Sequence, residues 1–229
     1  MKHMIAAVVC LGLAACQGTT QEKVDLKTKM DSVSYSIGLD IGKNLKAQSI
    51  EVNPSALAEG MRVALGTGKG VLTDEQVQAV MTQFQQEMME QQAVKAHELG
   101  EKNKKEGEAF LAANKTKEGV VTTASGLQYK ILKAGTGKKP TDKQTVTVHY
   151  RGTLIDGTEI DNSYKRGQPA TRAVTGFIKG WTEALQLMPV GSKWQLFMPG
   201  ELAYGDRGMG SQVPPNAALI FEVELISVQ

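Results

Sequence analysis

Cysteine, histidine and aromatic residues are all scarce in this chain, and each shortage removes a class of chemistry. The 2 cysteines, Cys10 and Cys16, lie in or at the end of an N-terminal apolar run, so the body is expected to hold no disulfide, no thiol nucleophile and no cysteine metal site. Of the 3 histidines, His3 belongs to the same N-terminal segment, His97 lies in a charge-rich helical stretch, and His149 alternates outward between Val148 and Tyr150. Neither a Ser/His/Asp triad nor a histidine metal site can be assembled from them. The carboxylates form no paired motif and no glycine-rich phosphate loop follows a strand, so hydrolysis, phosphoryl transfer and nicotinamide chemistry lack their parts. An excess of charge is missing too: without Lys2 the 26 basic residues become 25 against 24 acidic ones, with no basic tract. Nucleic acid is therefore not an expected partner, and no cofactor or metal is expected.

The first residues, "MKHMIAAVVCLGLAACQG", combine a basic end with an apolar run too short to cross a membrane and suited to a signal-peptide core. Leu13-Ala14-Ala15-Cys16 resembles the bacterial lipobox, in which the cysteine sulfur is acylated and becomes the mature N-terminus. Several acyl chains on Cys16 would hold the protein stably to a membrane. Gln17 is not the aspartate that commonly retains such lipoproteins in the inner membrane. The expectation is an outer-membrane lipoprotein facing the periplasm, with the cell surface as the other placement.

After a polar tether over residues 16–28, helical patterns dominate. Met30, Val33, Ile37, Ile41 and Leu45 make one apolar stripe, with Asp31 and Ser32 as cap candidates. Asn53-Pro54 opens a second helix with Leu57, Met61 and Leu65 on one face, closed by "GTGKG". A capping box at Thr73-Asp-Glu-Gln76 opens a third, which carries Val77, Val80, Met81, Phe84 and Met88. From Gln91 to about Ala113 the apolar stripe thins. That half is expected to bridge solvent between domains, with Gly100 and Gly107 as its weak points. Helices with so few apolar positions bury too little surface to stand alone, and dimerisation through the methionine-rich faces is the physical remedy.

Beyond "NKTKEGVVTTASG" the texture changes to alternation: Leu127, Tyr129 and Ile131; Val146, Val148 and Tyr150; Trp194, Leu196 and Met198; Leu219, Phe221, Val223 and Leu225. Turns at "KAGTGKKPT", "IDGTE" and "KRGQP" separate strands of an antiparallel sheet. The one helical pattern within it is "GFIKGWTEALQLMPVG". The fold class is therefore α+β. With the usual catalytic parts absent, what remains is an apolar constellation with few polar groups: Tyr150, Asp161, Phe177, Ile178, Trp181, Tyr204, Val213 and Phe221.

The runs "VTVHYRGTLIDGTEIDNSYKRGQPA", "GFIKGWTEALQLMPVGSKWQLFMPGELAYGDRG" and "VPPNAALIFEVELI" closely resemble the FKBP-type peptidyl-prolyl isomerases over residues 125–228. The helical segment before them is similar in arrangement to the dimerising N-terminal domain of the macrophage infectivity potentiator (Mip) group. The resemblance implies an FKBP-like antiparallel sheet wrapped around one short helix, behind an all-helical dimerisation domain and a long connecting helix. It implies boundaries at 1–15 for the signal peptide, 16–28 for the tether, 29–90 for the helical domain, 91–120 for the connector and 121–229 for the isomerase domain. Trp181 would form the floor of a proline pocket, with Tyr150, Phe177, Val213 and Phe221 as walls. The Ile178 backbone N–H and the Tyr204 hydroxyl would hydrogen-bond substrate, and Asp161 would supply the one carboxylate. Catalysis would be noncovalent, by Trp181, Tyr204 and Asp161 within that wall.

Four positions depart from the family pattern: Ile160 stands where phenylalanine is usual, Ala170 where an aromatic is frequent, Met209 where histidine is frequent, and Arg172 where relatives tend to carry phenylalanine. Ile160 removes a ring edge from the substrate-binding wall and bears on the preference for the residue before proline. The implied partners are unfolded or extended proline-containing polypeptides, a second copy of the chain, a membrane reached through the lipid, and macrolide inhibitors. Two rival readings use the same architecture: a non-catalytic holdase with a methionine-rich cradle, and a surface virulence or adhesion factor.

Overall fold

A computed structural model of the chain describes residues 24–229. The expected signal segment, the lipobox-like Cys16 and the start of the expected tether lie outside the described residues. The chain divides into two compact units at Thr73/Asp74.

In the first unit, α1 spans Lys29–Ala47 and α2 spans Pro54–Ala64. Helix α1 starts earlier than the candidates Asp31 and Ser32 suggest. Thr28 is its cap, with the Asp31 N–H donating to Thr28 Oγ1 at 3.0 Å and the Thr28 N–H donating to the Asp31 carboxylate at 2.7 Å. Asp31 thus closes a capping box from the third helical position, where its charge also complements the helix dipole. Helix α2 begins where Asn53-Pro54 indicates, the Asn53 side chain accepting from the Ser55 and Ala56 N–H groups. No residue of either helix is buried, and Met30, Ile37, Leu57 and Met61 are all exposed.

The second unit opens with α3, Asp74–Asn114, whose 41 residues span roughly 60 Å at 1.5 Å per residue. Then come β1 Val120–Thr122, β2 Gln128–Lys133, β3 Thr145–Leu154, β4 Glu159–Asn162, β5 Ala170–Ala173, α4 Lys179–Leu187, β6 Lys193–Met198 and β7 Leu219–Val228. All strand pairings are antiparallel, in the order β1-β2-β6-β7-β3-β4, and β5 also pairs with β3. The short α4 lays Trp181, Ala184 and Leu185, and Met188 just after it, into a core shared with Val146, Val148, Leu196, Met198, Leu219, Val223 and Leu225. Alternation in β6 and β7 sends these side chains to one face. Gly180 lets α4 seat closely, because a Cβ there would lie 2.4 Å from Met198 Sδ.

The C-terminal half of α3 does not bridge solvent. Gly100, Gly107, Leu111 and Asn114 are buried against the sheet domain. The two glycines are points of close approach rather than weak points: a Cβ on Gly107 would stand 2.9 Å from Ala218 Cβ, and one on Gly100 3.1 Å from the Asn216 side chain. Asn103 Nδ2 donates to the Pro215 carbonyl at 2.8 Å, and Asn114 and Gln128 bond each other at 2.9 Å while Gln128 reaches the Leu111 carbonyl at 2.8 Å. A helix that docks through glycines and amides carries no broad apolar stripe, which is why its charge-rich pattern reads as solvated. Among the described residues no helix is long and apolar enough to cross a membrane.

Candidate functional site

Trp181 sits one turn into α4 and is only 2% exposed. Three rings fix its plane. Phe177 stacks on it at 4.9 Å and 18°, while Tyr150 and Phe221 meet it edge-on at 5.1 Å and 5.2 Å. These are the offset and perpendicular arrangements that aromatic quadrupoles favour. Phe221 has room because Gly152 on the neighbouring β3 has no side chain; a Cβ there would lie 2.3 Å from the Phe221 ring.

Above this floor opens a cavity of about 460 Å³, the size of a small-ligand or side-chain site. Tyr150, Phe177, Ile178, Phe221 and Ile160 line it with Trp181, and Asp161 and Tyr204 supply polar atoms. Ala170, Arg172 and Met209 complete its rim. The structure thus brings together every candidate residue of the isomerase domain except Val213. That residue is buried in the core at 1% exposure and is not part of the lining. Its backbone instead pairs with Met209, whose N–H donates to the Val213 carbonyl at 2.8 Å, and it is the half-buried Met209 that lines the cavity.

The polar groups are of two kinds. Asp161 is engaged: Tyr150 Oη donates to Oδ2 at 2.5 Å, the Asn162 N–H donates to Oδ1 at 2.7 Å, and Arg166 forms an ion pair with Oδ1. Arg166 also donates to Tyr150 Oη at 2.8 Å, with its guanidinium 5.4 Å from the Tyr150 ring centre. Burial, followed by the hydrogen bond to Asp161, pushes the Tyr150 hydroxyl pKa above its ordinary value, so it remains a neutral donor. Burial and then the Asp161 charge do the same for Tyr204, against the opposing field of Arg172.

Tyr204 Oη and the Ile178 N–H belong to the second kind, since neither has a hydrogen-bond partner among the described residues. Ile178 is the residue before the first turn of α4, where backbone N–H groups have no intrahelical acceptor. Thr182 Oγ1 anchors that turn by donating to the Val174 carbonyl at 3.0 Å. The cavity therefore offers two outward donors beside an apolar floor, a combination that can hold carbonyl groups on either side of an apolar ring.

Sequence reasoning missed Arg166, which lies in the "KRGQP" turn and looks like a surface cation. The available signal was chemical: a carboxylate committed to an apolar site needs a cation within reach, and Arg166 follows Asp161 by five residues. The turn is held by Glu159, which Lys165, then Asn162 and Arg151, draw down to a pKa of about 2. Among the described residues no three His, Cys, Asp or Glu side chains gather in a way that could hold a metal.

Comparison with known proteins adds to this geometry. Residues 30–131 match the family described as the domain amino terminal to FKBP-type peptidyl-prolyl isomerase, and residues 136–226 match FKBP-type peptidyl-prolyl cis-trans isomerase. The outer membrane protein MIP of Legionella longbeachae is 48% identical over 229 residues, spanning 100% of this chain and 98% of that protein. The peptidyl-prolyl cis-trans isomerase Mip of Coxiella burnetii is 41% identical over 100% of this chain and 99% of its own. The crystal structure of FkpA from Escherichia coli is similar with a TM-score of 0.72 at 33% identity, covering 90% of this chain and 99% of that one.

Proposed function

This chain belongs to the FKBP-type peptidyl-prolyl cis-trans isomerases, and within that activity we propose that Trp181, Tyr204, Asp161 and the Ile178 N–H carry the reaction in the cavity above α4. The observation that carries the assignment is a buried tryptophan flanked by two unpartnered donors.

Rotation about an X-Pro bond breaks amide resonance, which accounts for a barrier of about 18–20 kcal/mol. It requires no proton transfer and no nucleophile. Uncatalysed it takes roughly tens to hundreds of seconds. The prolyl ring rests on the Trp181 face between Tyr150, Phe177 and Phe221, where water is excluded. The planar amide is the more polar form, because resonance places partial charge on oxygen and nitrogen. A dry pocket disfavours it relative to the twisted amide. The Ile178 N–H and Tyr204 Oη hold carbonyls of the turned peptide, and both bonds count toward rate only so far as they are better in the twisted form. Asp161, neutralised by Arg166 and bonded to Tyr150, fixes the wall against which the rotating carbonyl turns.

The test is the cis-to-trans rate of the peptide Ala-Leu-Pro-Phe with residues 17–229. The wild type accelerates it, and Tyr204→Phe lowers kcat/KM by about five- to tenfold, the worth of one hydrogen bond in a partly dry site. An unchanged rate in Tyr204→Phe removes that hydroxyl from the mechanism.

The Legionella longbeachae relative named an outer membrane protein, together with the lipobox-like Leu13-Ala14-Ala15-Cys16, supports a periplasm-facing lipoprotein anchored through Cys16. The proposed plan is a signal peptide over residues 1–15, a tether over 16–28, a helical dimerisation domain over 29–90 and an isomerase domain over 121–229, with the helical part of the 91–120 connector packed on the isomerase domain rather than bridging solvent. Macrolides that mimic a proline segment would occupy the same cavity. The exposed stripes of α1 and α2 support a homodimer, since Met30, Ile37, Leu57 and Met61 otherwise remain in water. Light scattering of residues 17–229 at micromolar concentration is expected to give twice the chain mass, and a monomer mass would overturn the dimer.

A further inference from the structure

Of the residues lining the cavity, two carry charge, Asp161 and Arg172, and they differ in one respect. Both Asp161 oxygens are engaged, by Arg166, the Asn162 N–H and Tyr150 Oη. Arg172 has no carboxylate partner among the described residues. The single hydrogen bond its side chain makes there is from Nη1 to the Gly176 carbonyl, at 3.2 Å. An arginine presents five N–H donors in a planar fork, so most of that capacity is uncommitted.

Arg172 is also held in place. Its guanidinium carbon lies 5.6 Å from the Phe177 ring centre, within the range of a cation–π contact. Its stem crosses Gly176 so closely that a Cβ there would be 2.8 Å from both Arg172 Cγ and Cδ. On β5 its backbone is paired opposite Val146. The fork is thus fixed beside the ring that walls the proline site, and little side-chain entropy is left to lose on binding. Its charge is felt at Tyr204 across the cavity.

We propose that Arg172 is a specificity-determining residue, which selects polypeptides with an acidic side chain immediately before or after the reacting proline by pairing its guanidinium with that carboxylate. This rests on the assignment of the cavity as the proline site. The fork matches a carboxylate bidentately, and the Arg166 ion pair offsets part of the repulsion from the Asp161 carboxylate, whose charge also reaches Tyr204. At an exposed rim such a pair is modest and sensitive to salt.

The experiment uses residues 17–229 and isosteric peptide pairs that differ only in charge: Ala-Glu-Pro-Phe against Ala-Gln-Pro-Phe, and Ala-Leu-Pro-Glu against Ala-Leu-Pro-Gln. Ala-Leu-Pro-Phe serves as the neutral reference. At low salt the wild type should show a Glu/Gln ratio of kcat/KM of about threefold at one or both positions, falling toward unity at high salt. In Arg172→Gln the ratio falls to one at low salt, in Arg172→Glu it inverts, and in Arg172→Lys it stays above one. Near-ultraviolet circular dichroism checks that each variant keeps its packing. A wild type that turns over Ala-Leu-Pro-Phe with a Glu/Gln ratio of one or less at both positions overturns the role of Arg172 alone, as does a ratio that survives in Arg172→Gln. A wild type that accelerates none of the peptides overturns the cavity assignment and this proposal together.

Discussion

Trp181→Ala is expected to lower kcat/KM toward Ala-Leu-Pro-Phe by about a hundredfold or more, the largest catalytic effect of any single change in the cavity. The substitution removes the surface on which the prolyl ring rests and also frees three rings that Trp181 orients, Phe177, Tyr150 and Phe221. It should destabilise the fold as well, by about 3–5 kcal/mol, because a 2% exposed indole is replaced by a void. The two effects are separable. Trp181→Phe keeps an apolar ring on the helix and should recover much of the stability in a urea titration, while recovering less of the rate because the smaller face supports less of the ring. A variant that is stable and folded by Trp194 fluorescence yet fully active without the indole would remove Trp181 from catalysis. The buried Trp181 N–H, which has no hydrogen-bond partner among the described residues, makes the phenylalanine substitution less costly than at a bonded tryptophan.

Gly208→Ala should produce the largest loss of stability from adding a single methyl group. Its φ of 63° with ψ of −156° lies in a region that is essentially glycine-only. A Cβ there would also stand 2.2 Å from the Val213 carbonyl oxygen and 2.9 Å from the Pro214 carbonyl carbon, backbone atoms that cannot rotate away. The expected cost is about 3 kcal/mol or more, which corresponds to a fall in Tm of roughly 6–12 °C. Gly210→Ala is the control. Gly210 also has positive φ, 53°, but its Cβ would meet nothing within 4 Å, so the cost should be about 1–2 kcal/mol. Because the Met209 N–H is bonded to the Val213 carbonyl against which that methyl would press, Gly208→Ala should lower activity in the molecules that remain folded, and Gly210→Ala much less. Equal Tm values for the two variants would show that backbone collision at Gly208 is relieved by movement of the loop.

The same local physics separates what was legible in the chain from what was not. Helix α2 was readable because Asn53-Pro54 acts within its own first turn. Helix α1 was displaced by one turn because Thr28, unlike Asp31, precedes the apolar stripe and gains its cap only through the partner three residues on. Strand alternation exposed the core face of β6 and β7, since period-two patterning is a local property.

The docking of α3 was not legible, because Gly100 and Gly107 are identical in sequence to flexible glycines. Only the approach of Pro215, Asn216 and Ala218 from more than a hundred residues away reveals their purpose. Arg166 was hidden for the same reason: a turn brings it back onto Asp161 and Tyr150, residues on two different strands. Val213 shows the converse, a residue of the right type and order whose backbone, rather than its side chain, serves the cavity.

By itself, then, the sequence determined the chemistry available to this protein. Its sequence spells out no Ser/His/Asp triad and no phosphate loop but does supply an apolar constellation with a few hydrogen-bonding groups, and that composition suits the rotation of an amide. The order of its motifs determined the family. Tertiary structure alone decided which donors are spent and which are free. Asp161 is committed to Arg166 and Tyr150, whereas Tyr204 Oη, the Ile178 N–H and the Arg172 fork face the cavity with capacity to spare. Hydrogen-bond satisfaction is a property of atoms brought together from distant parts of the chain, and linear order does not contain it.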